Sequence, residues 1–373
     1  MGPQILLDKS TLQSLSQNET FFLKKHYWVV YPPILFIEIL GDYKKFGDNV
    51  GKSKKEVAKI ARKLDGLDSC FTANCRLLLH DDLMGFDVPM EHRPLLVGGR
   101  EVIDGEGKPG VFFDEEPEHE ALRRWRKGEF SEAEEALSEN WRKSTKAIDL
   151  AAWREAFRNS PKVSDFTNLN ILASELANNP HTQYESLRWL LNEVSFDDSL
   201  RTPIFNRWVN SGMPPLKSFS PYAHYCLHAL IAFYLGIANG LISTKSTNRI
   251  DLEYVFYFPF CKVFASTDNL LKEFSPLFLG SGQEFIWGDD LKRDLHEISQ
   301  HWERLTEAEK ADYRKQYGDC PPDNPVSLTN RLWIKFMGGR NGYGETQEIT
   351  PEREEAILKK LRPILEQTKQ RDQ

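Results

Sequence analysis

The chain has 373 residues, of which 40% are hydrophobic and 28% charged, and its formal net charge is −7. That length and apolar content support a buried core, as one large domain with insertions or as two domains, and exclude a disordered chain. The acidic balance speaks against gripping nucleic acid over the whole surface, because phosphate binding draws on a basic surplus. Cys70, Cys75, Cys226, Cys261 and Cys320 form no CxxC pair and read as reduced thiols of a cytoplasmic protein. The first apolar run is too short for a signal peptide, and the most apolar stretch, 229–242, is interrupted by Gly236, Asn239 and Gly240. It reads as a buried helix, so no membrane partner is expected.

In chain order, residues 4–7 form a short apolar run closed by Asp8, as in a buried parallel strand with a functional carboxyl end. Residues 10–25 carry Leu12, Leu15, Phe22 and Leu23 near helical spacing, and the aromatic, β-branched run 27–31 predicts a strand. Pro32 and Pro33 stop that strand and open a helix over 34–40. Strand–helix–strand–helix order implies an α/β fold on a parallel sheet. Residues 52–67 and 118–158 predict charged amphipathic helices, 95–116 a β-hairpin turning at Asp104-Gly105-Glu106-Gly107, and 171–194 one or two helices. The α/β texture resumes with a helix over 222–240, a helix over 252–258 capped by Asp251 and stopped by Pro259, and a strand over 263–265. A further helix is expected near 269–274. After Gly280 the chain reads as charged and helical, with 331–344 as an exception and a solvent-facing helix over 351–369.

Four acids fall where such a sheet gathers its strand ends: Asp8, Glu38, Asp251 and Asp268. Packed carboxylates repel one another unless a cation neutralises them, and hard oxygen donors favour Mg²⁺ or Mn²⁺. Each also has a plainer reading. Asp8 and Asp251 suit helix caps, and Glu38 suits the wet side of an amphipathic helix. Ser10, Ser266, Asp42 and Glu253 are expected around the acids rather than among the primary ligands. Ser266 serves either to orient a water or to satisfy a backbone group.

The phrases ILLDKS, FIEILGD and NRIDLEYVFYFPFCKVFASTD resemble the motifs of PIN-like domains, including the seventeen-residue step from Asp251 to Asp268. The resemblance implies a three-layer fold with a central parallel sheet over 1–48 and 218–285. Residues 49–217 then become a large, mainly helical insertion, and 286–373 a helical C-terminal extension. It also implies metal-dependent endonuclease activity, most often on RNA, at Asp8, Glu38, Asp251 and Asp268. The long stretch between Glu38 and Asp251 departs from a compact PIN domain.

Weaker features surround this constellation. His224 and His228 share a helix face but lack the glutamate of a zinc protease and read as core or partner-facing. Cys70-x₄-Cys75 has no second ligand pair at zinc spacing. Residues 338–344 are glycine-rich without P-loop chemistry. Their Arg340 and Tyr343, with Trp333 and Lys335, are candidate contacts to a nucleic-acid strand, as are Arg124 and Trp125 in the basic run 123–127. Three functions compete: an endoribonuclease of toxin or defence type, a DNA-directed nuclease, and a catalytically silent scaffold that binds a protein partner or oligomerises through the insertion.

Overall fold

In the computed structural model, which describes residues 2–339 apart from 48, 65–68, 97–98, 104–108 and 114–116, the chain opens with strand β1 (Gln4–Leu7). Ile5, Leu6 and Leu7 have no exposed surface, as a strand covered on both faces requires. Asp8 caps helix α1 (Lys9–Ser14). The single helix expected over 10–25 is two, because α2 (Gln17–His26) starts afresh at Ser16. There the Ser16 hydroxyl accepts from the Glu19 amide while the Glu19 carboxylate accepts from the Ser16 amide. This reciprocal box satisfies two orphan donors at once.

Strand β2 (Trp28–Tyr31) and helix α3 (Pro33–Gly41) follow as expected. Next come α4 (Val50–Leu64), β3 (Ser69–Phe71) and α5 (Cys75–Met84). The hairpin expected near 95–116 is formed by β4 (Gly99–Ile103) and β5 (Pro109–Phe113), in antiparallel register from Gly99 with Phe113 to Ile103 with Pro109. Its turn at 104–107 lies outside the described residues. A helical stretch then runs through α6 (Pro117–Arg126), α7 (Glu132–Ala147), α8 (Leu150–Ala156), α9 (Phe166–Ala177), α10 (Gln183–Glu193), α11 (Asp198–Asn210) and α12 (Leu216–Phe219). The longest helix among the described residues, α13 (Pro221–Ala238), is apolar on almost every side and lies in the core. The chain closes with α14 (Asn248–Val255), β6 (Val263–Ser266), α15 (Asn269–Phe274), β7 (Glu284–Trp287), α16 (Gly288–Arg304), α17 (Glu307–Tyr317) and α18 (Leu328–Met337). Among the described residues no helix is long and apolar enough to cross a membrane.

The central sheet has five strands, all parallel, in the order β3-β2-β1-β6-β7. The fold is therefore mixed α/β. Two of its strands escape the sequence reading. β3 lies inside 49–217, the stretch assigned to an insertion, and at three residues it is too short to show any period. β7 falls in the stretch after Gly280 that was expected to be charged and helical, and it is corrected to a strand of four residues. The expected break at 331–344 is also corrected over its first half. Ser327 caps α18, and the helix runs on to Gly338, whose φ of 72° is the left-handed conformation glycine adopts freely. The tail over 351–369 lies outside the described residues.

One buried charge ties the layers below the sheet. Lys63, on α4 and 3% exposed, donates to the carbonyls of Leu12 (3.0 Å), Gln13 (2.9 Å) and Leu15 (2.5 Å). It thus caps the last turn of α1 from a neighbouring helix. Burial lowers its pKa to about 8. Lys63→Met leaves those carbonyls without that donor and should cost about 2–4 kcal/mol. The readout is a lower denaturant midpoint at unchanged slope.

Candidate metal centre

Because β1 and β6 pair directly, Leu7 lies beside Ala265, and the chain leaves the sheet at Asp8 on one strand and at Ser266 on the other. Both ends are carboxyl ends of adjacent parallel strands, where open α/β sheets bind ligands. Asp8 is 3% exposed. Its Oδ1 accepts from the Thr11 amide at 2.8 Å, and its Oδ2 accepts from the hydroxyls of Ser10 (2.5 Å) and Ser266 (2.7 Å). Ser266 in turn accepts from the Asp268 amide at 2.9 Å, so one hydroxyl joins the two acidic strand ends. Asp268 caps α15 through the amides of Leu270 (2.8 Å) and Leu271 (3.3 Å). Ser10 also shares a 2.6 Å hydrogen bond with Thr267.

Glu38 reaches this neighbourhood from α3. The Tyr254 hydroxyl, buried on α14, donates to its Oε2 at 2.5 Å. Asp251 lies one turn before Tyr254, so both face the same way. It is not the cap expected from sequence. Asn248 binds the Ser243 carbonyl and hydroxyl (both 2.9 Å), which closes the preceding loop, and the helix starts at Asn248 rather than at 252. The helix also ends earlier, at Val255, and Phe258–Phe260 form a separate 3-10 turn.

The electrostatics bind these residues together. Glu38 and Asp251 keep some accessible surface, yet protein surrounds most of each carboxylate. Burial raises the Glu38 pKa to about 7, against the pull of Lys9 and Tyr254 and with a push from Asp8 and Asp42. Asp251 is pushed well above the carboxylate range, by burial first and then by Asp268, Glu38 and Asp8. Burial also raises Asp8, while its hydroxyl and amide donors oppose the shift. Four acids therefore share one field. Among the described residues, however, no three His, Cys, Asp or Glu side chains form a ready metal cage. The donor chemistry fits a hard divalent ion that keeps several waters, as Mg²⁺ does. Asp251, crowded by three like charges, is the residue such an ion would relieve most.

Of the residues expected around the acids, Ser10 and Ser266 touch Asp8. Asp42 is buried and pairs with Lys9 at 2.9 Å, while Gln13 donates to it at 3.2 Å, so it acts through Lys9. Glu253 does not join the site: it pairs with Arg249 at 3.4 Å, one helical turn back on another face of α14. The outlying nucleic-acid contacts are also corrected. Trp125 has no exposed surface and stacks on Phe36 at 4.4 Å, and Arg124 forks onto Glu134 at 3.0 and 2.8 Å. Trp333 is buried with its indole N–H donating to the His26 carbonyl, and Lys335 pairs with Glu284. Arg340 and Tyr343 lie outside the described residues. His228 packs edge-on to Phe278, and burial lowers the His224 pKa to about 4. All five cysteines are free and buried.

Sequence reasoning missed three participants. Tyr254 could be found from its place three residues after Asp251. Lys9 donates to the Glu38 carbonyl at 3.0 Å and sits in the motif beside Asp8. Trp287, paired in register with Ser266, is half-exposed with the Lys272 ammonium 5.0 Å from its ring centre; nothing marked it once β7 was unseen.

The shift at Glu38 carries a sign. An acid whose folded pKa lies above its unfolded value adds stability at low pH that is lost as pH rises through the folded pKa. In metal-free protein this window runs from about 4.5 to about 7. Glu38→Gln should therefore reduce the fall of the melting temperature across that window, to which Asp251 and Asp8 also contribute, and raise it at pH 8. Melting curves from pH 4.5 to 8 in EDTA check this; an unflattened slope would place the titration elsewhere.

Compared with protein-family models, with curated proteins and with solved structures, the chain matches none.

Proposed function

We propose that the chain is a PIN-like, divalent-metal-dependent endoribonuclease working at the carboxyl ends of β1 and β6. The observation that carries this reading is the pairing of those strands. It sets Asp8 beside Asp268 with Ser266 bonded to both, and Glu38 and Asp251 within electrostatic reach. Asp8, Asp268, Glu38 and Asp251 would hold Mg²⁺ or Mn²⁺, some of them through water. When bound, such a cation supplies positive charge to a phosphodiester under in-line attack by water.

The chain's own groups do the remaining work. Ser10 and Ser266 fix the Oδ2 of Asp8, and Asp268 is held by the first turn of α15. Tyr254 donates to Glu38 and orients its carboxylate. The Trp287 ring, half-exposed beside Ser266 and with Lys272 over it, offers a face to an unpaired base. That favours single-stranded or loop RNA over duplex DNA.

A second reading has its own observation. Both oxygens of Asp8 already accept protein donors, as in a structural cap, which favours a catalytically silent scaffold for a protein partner. The two readings part on Mn²⁺-dependent cutting of structured RNA, single-stranded DNA and duplex DNA. Asp8→Asn and Asp268→Asn keep an amide oxygen for capping, so they should fold while losing more than ~100-fold in RNA cleavage. Asp8-dependent cutting confined to DNA overturns the RNA assignment. No cutting, with a melting temperature indifferent to Mn²⁺, favours the scaffold.

A further inference from the structure

Helix α4 carries Lys52, Lys54, Lys55, Lys59, Arg62 and Lys63 against a single acid, Glu56. Lys63 is buried, but Lys52, Lys55, Lys59 and Arg62 are exposed. At 100° per residue these four fall within about 80° of arc and extend over about 15 Å, which makes one stripe along the helix. On other helices several bases pair with an acid three or four residues away: Lys143 with Glu139, Arg293 with Asp290, and the half-buried Lys310 with Glu307. On α4 they do not. Among the described residues the side chains of Lys55, Lys59 and Arg62 make no ion pair and no hydrogen bond, and Glu56 leaves all of them free. Unpaired like charges side by side repel, and in a chain of net charge −7 this concentration is not a reflection of overall composition.

The stripe also leads somewhere. Just before α4, Lys45 lies 3.8 Å from Asp42, the same carboxylate that pairs with Lys9, which follows Asp8 in the chain. The half-exposed ring of Phe46 stands between, with the Lys52 ammonium 4.1 Å from its centre. Lys63 bolts α4 to the end of α1, so the stripe has a fixed position relative to Asp8. A row of exposed cations, three of them unpaired, an aromatic ring beside Lys52 and a link through Lys45 and Asp42 to Lys9 are parts that suit a channel for a single nucleic-acid strand.

We propose that Lys52, Lys55, Lys59 and Arg62, with Phe46, form a backbone-binding track that delivers a single-stranded nucleic acid to the acidic site. The proposal rests on the nuclease reading only for its direction; the track binds whether or not the acids cut. Each cation contacts phosphate, and the Phe46 ring stacks on a base. A track this short grips weakly and loses affinity steeply with salt.

The test measures binding of the full chain to a fluorescent single-stranded RNA by anisotropy in EDTA, at several salt concentrations. The triple variant Lys55→Gln/Lys59→Gln/Arg62→Gln should bind about tenfold or more weakly at low salt. Its slope of log affinity against log salt should fall by about 2, at roughly 0.7 per phosphate contact on a single strand. Its melting temperature should hold or rise, since repulsion is removed. As a control, Lys143→Gln/Lys310→Gln should bind as the parent does. Equal affinity for parent and triple variant overturns the track, as does a loss matched by the control. Binding of the parent to anionic phospholipid vesicles but not to RNA also overturns it. RNA binding that depends on the stripe but never leads to cleavage with Mn²⁺ keeps the track and removes the nuclease. Cleavage unchanged in the triple variant does the reverse.

Discussion

The hydroxyl of Ser266 donates to the carboxylate of Asp8 and accepts from the amide of Asp268, and the geometry of the acidic site hangs on that pair of hydrogen bonds. A buried carboxylate needs several donors to remain tolerable. Asp8 obtains them from three directions: its own helix through Thr11, the start of that helix through Ser10, and the neighbouring strand through Ser266. The last of these crosses from β6 to β1 and extends their parallel pairing by one further contact beyond the sheet. Through it the end of β6, the cap of α15 and the cap of α1 become one hydrogen-bonded unit. A side chain at 266 without a hydroxyl would leave both the Asp8 oxygen and the Asp268 amide short of a partner.

Around this unit the charges are segregated rather than mixed, which is why the net charge of −7 is a poor guide to what the surface does. Negative charge is drawn inward, into a region where burial raises Asp8, Glu38 and Asp251 together. Positive charge is pushed outward onto one face of α4. Lys9 stands at the border: it donates to the Glu38 carbonyl and pairs with Asp42, so it neutralises part of the acidic field from inside the protein. Asp42 thereby gains a structural reason to be buried that its place in the sequence motif did not reveal.

Much of the sheet was legible because its inner strands announce themselves. Residues 4–7, 27–31 and 263–265 are apolar or β-branched runs that end in an acid, a proline pair or a Ser-Thr-Asp turn, and each is a strand within a residue of the expected ends. The edges were not legible. Ser69-Cys70-Phe71 and Glu284-Phe285-Ile286-Trp287 are short, and their strand character comes from the neighbours they pair with. The acids at strand ends could be located because the caps they make are local. The helix start at Asn248 depends on a loop closure that sequence pattern does not show. Basic–aromatic runs misled for the opposite reason. Arg124-Trp125 and Trp333-Ile334-Lys335 look alike whether the ring faces solvent or core, and in both the tertiary packing turned the tryptophan inward. The stripe on α4 was visible as charge but not as free charge, which only the missing acidic partners disclose.

The same contrast separates cap from ligand at the acidic site. If Asp8, Glu38, Asp251 and Asp268 were only structural, the arrangement should minimise their mutual field, because capping needs one carboxylate per helix and gains nothing from proximity between them. Asp8 and Asp268 fit that view taken singly, since each caps the helix that follows it. Asp251 does not. It caps nothing, lies in the fourth position of α14, and is raised by burial and by all three of the other acids. Glu38 is likewise costly: an acid on an otherwise apolar helix, held by a buried tyrosine rather than by a cation of its own. Two acids that cap no helix, within electrostatic reach of two that do, support the proposed cation site over a set of caps.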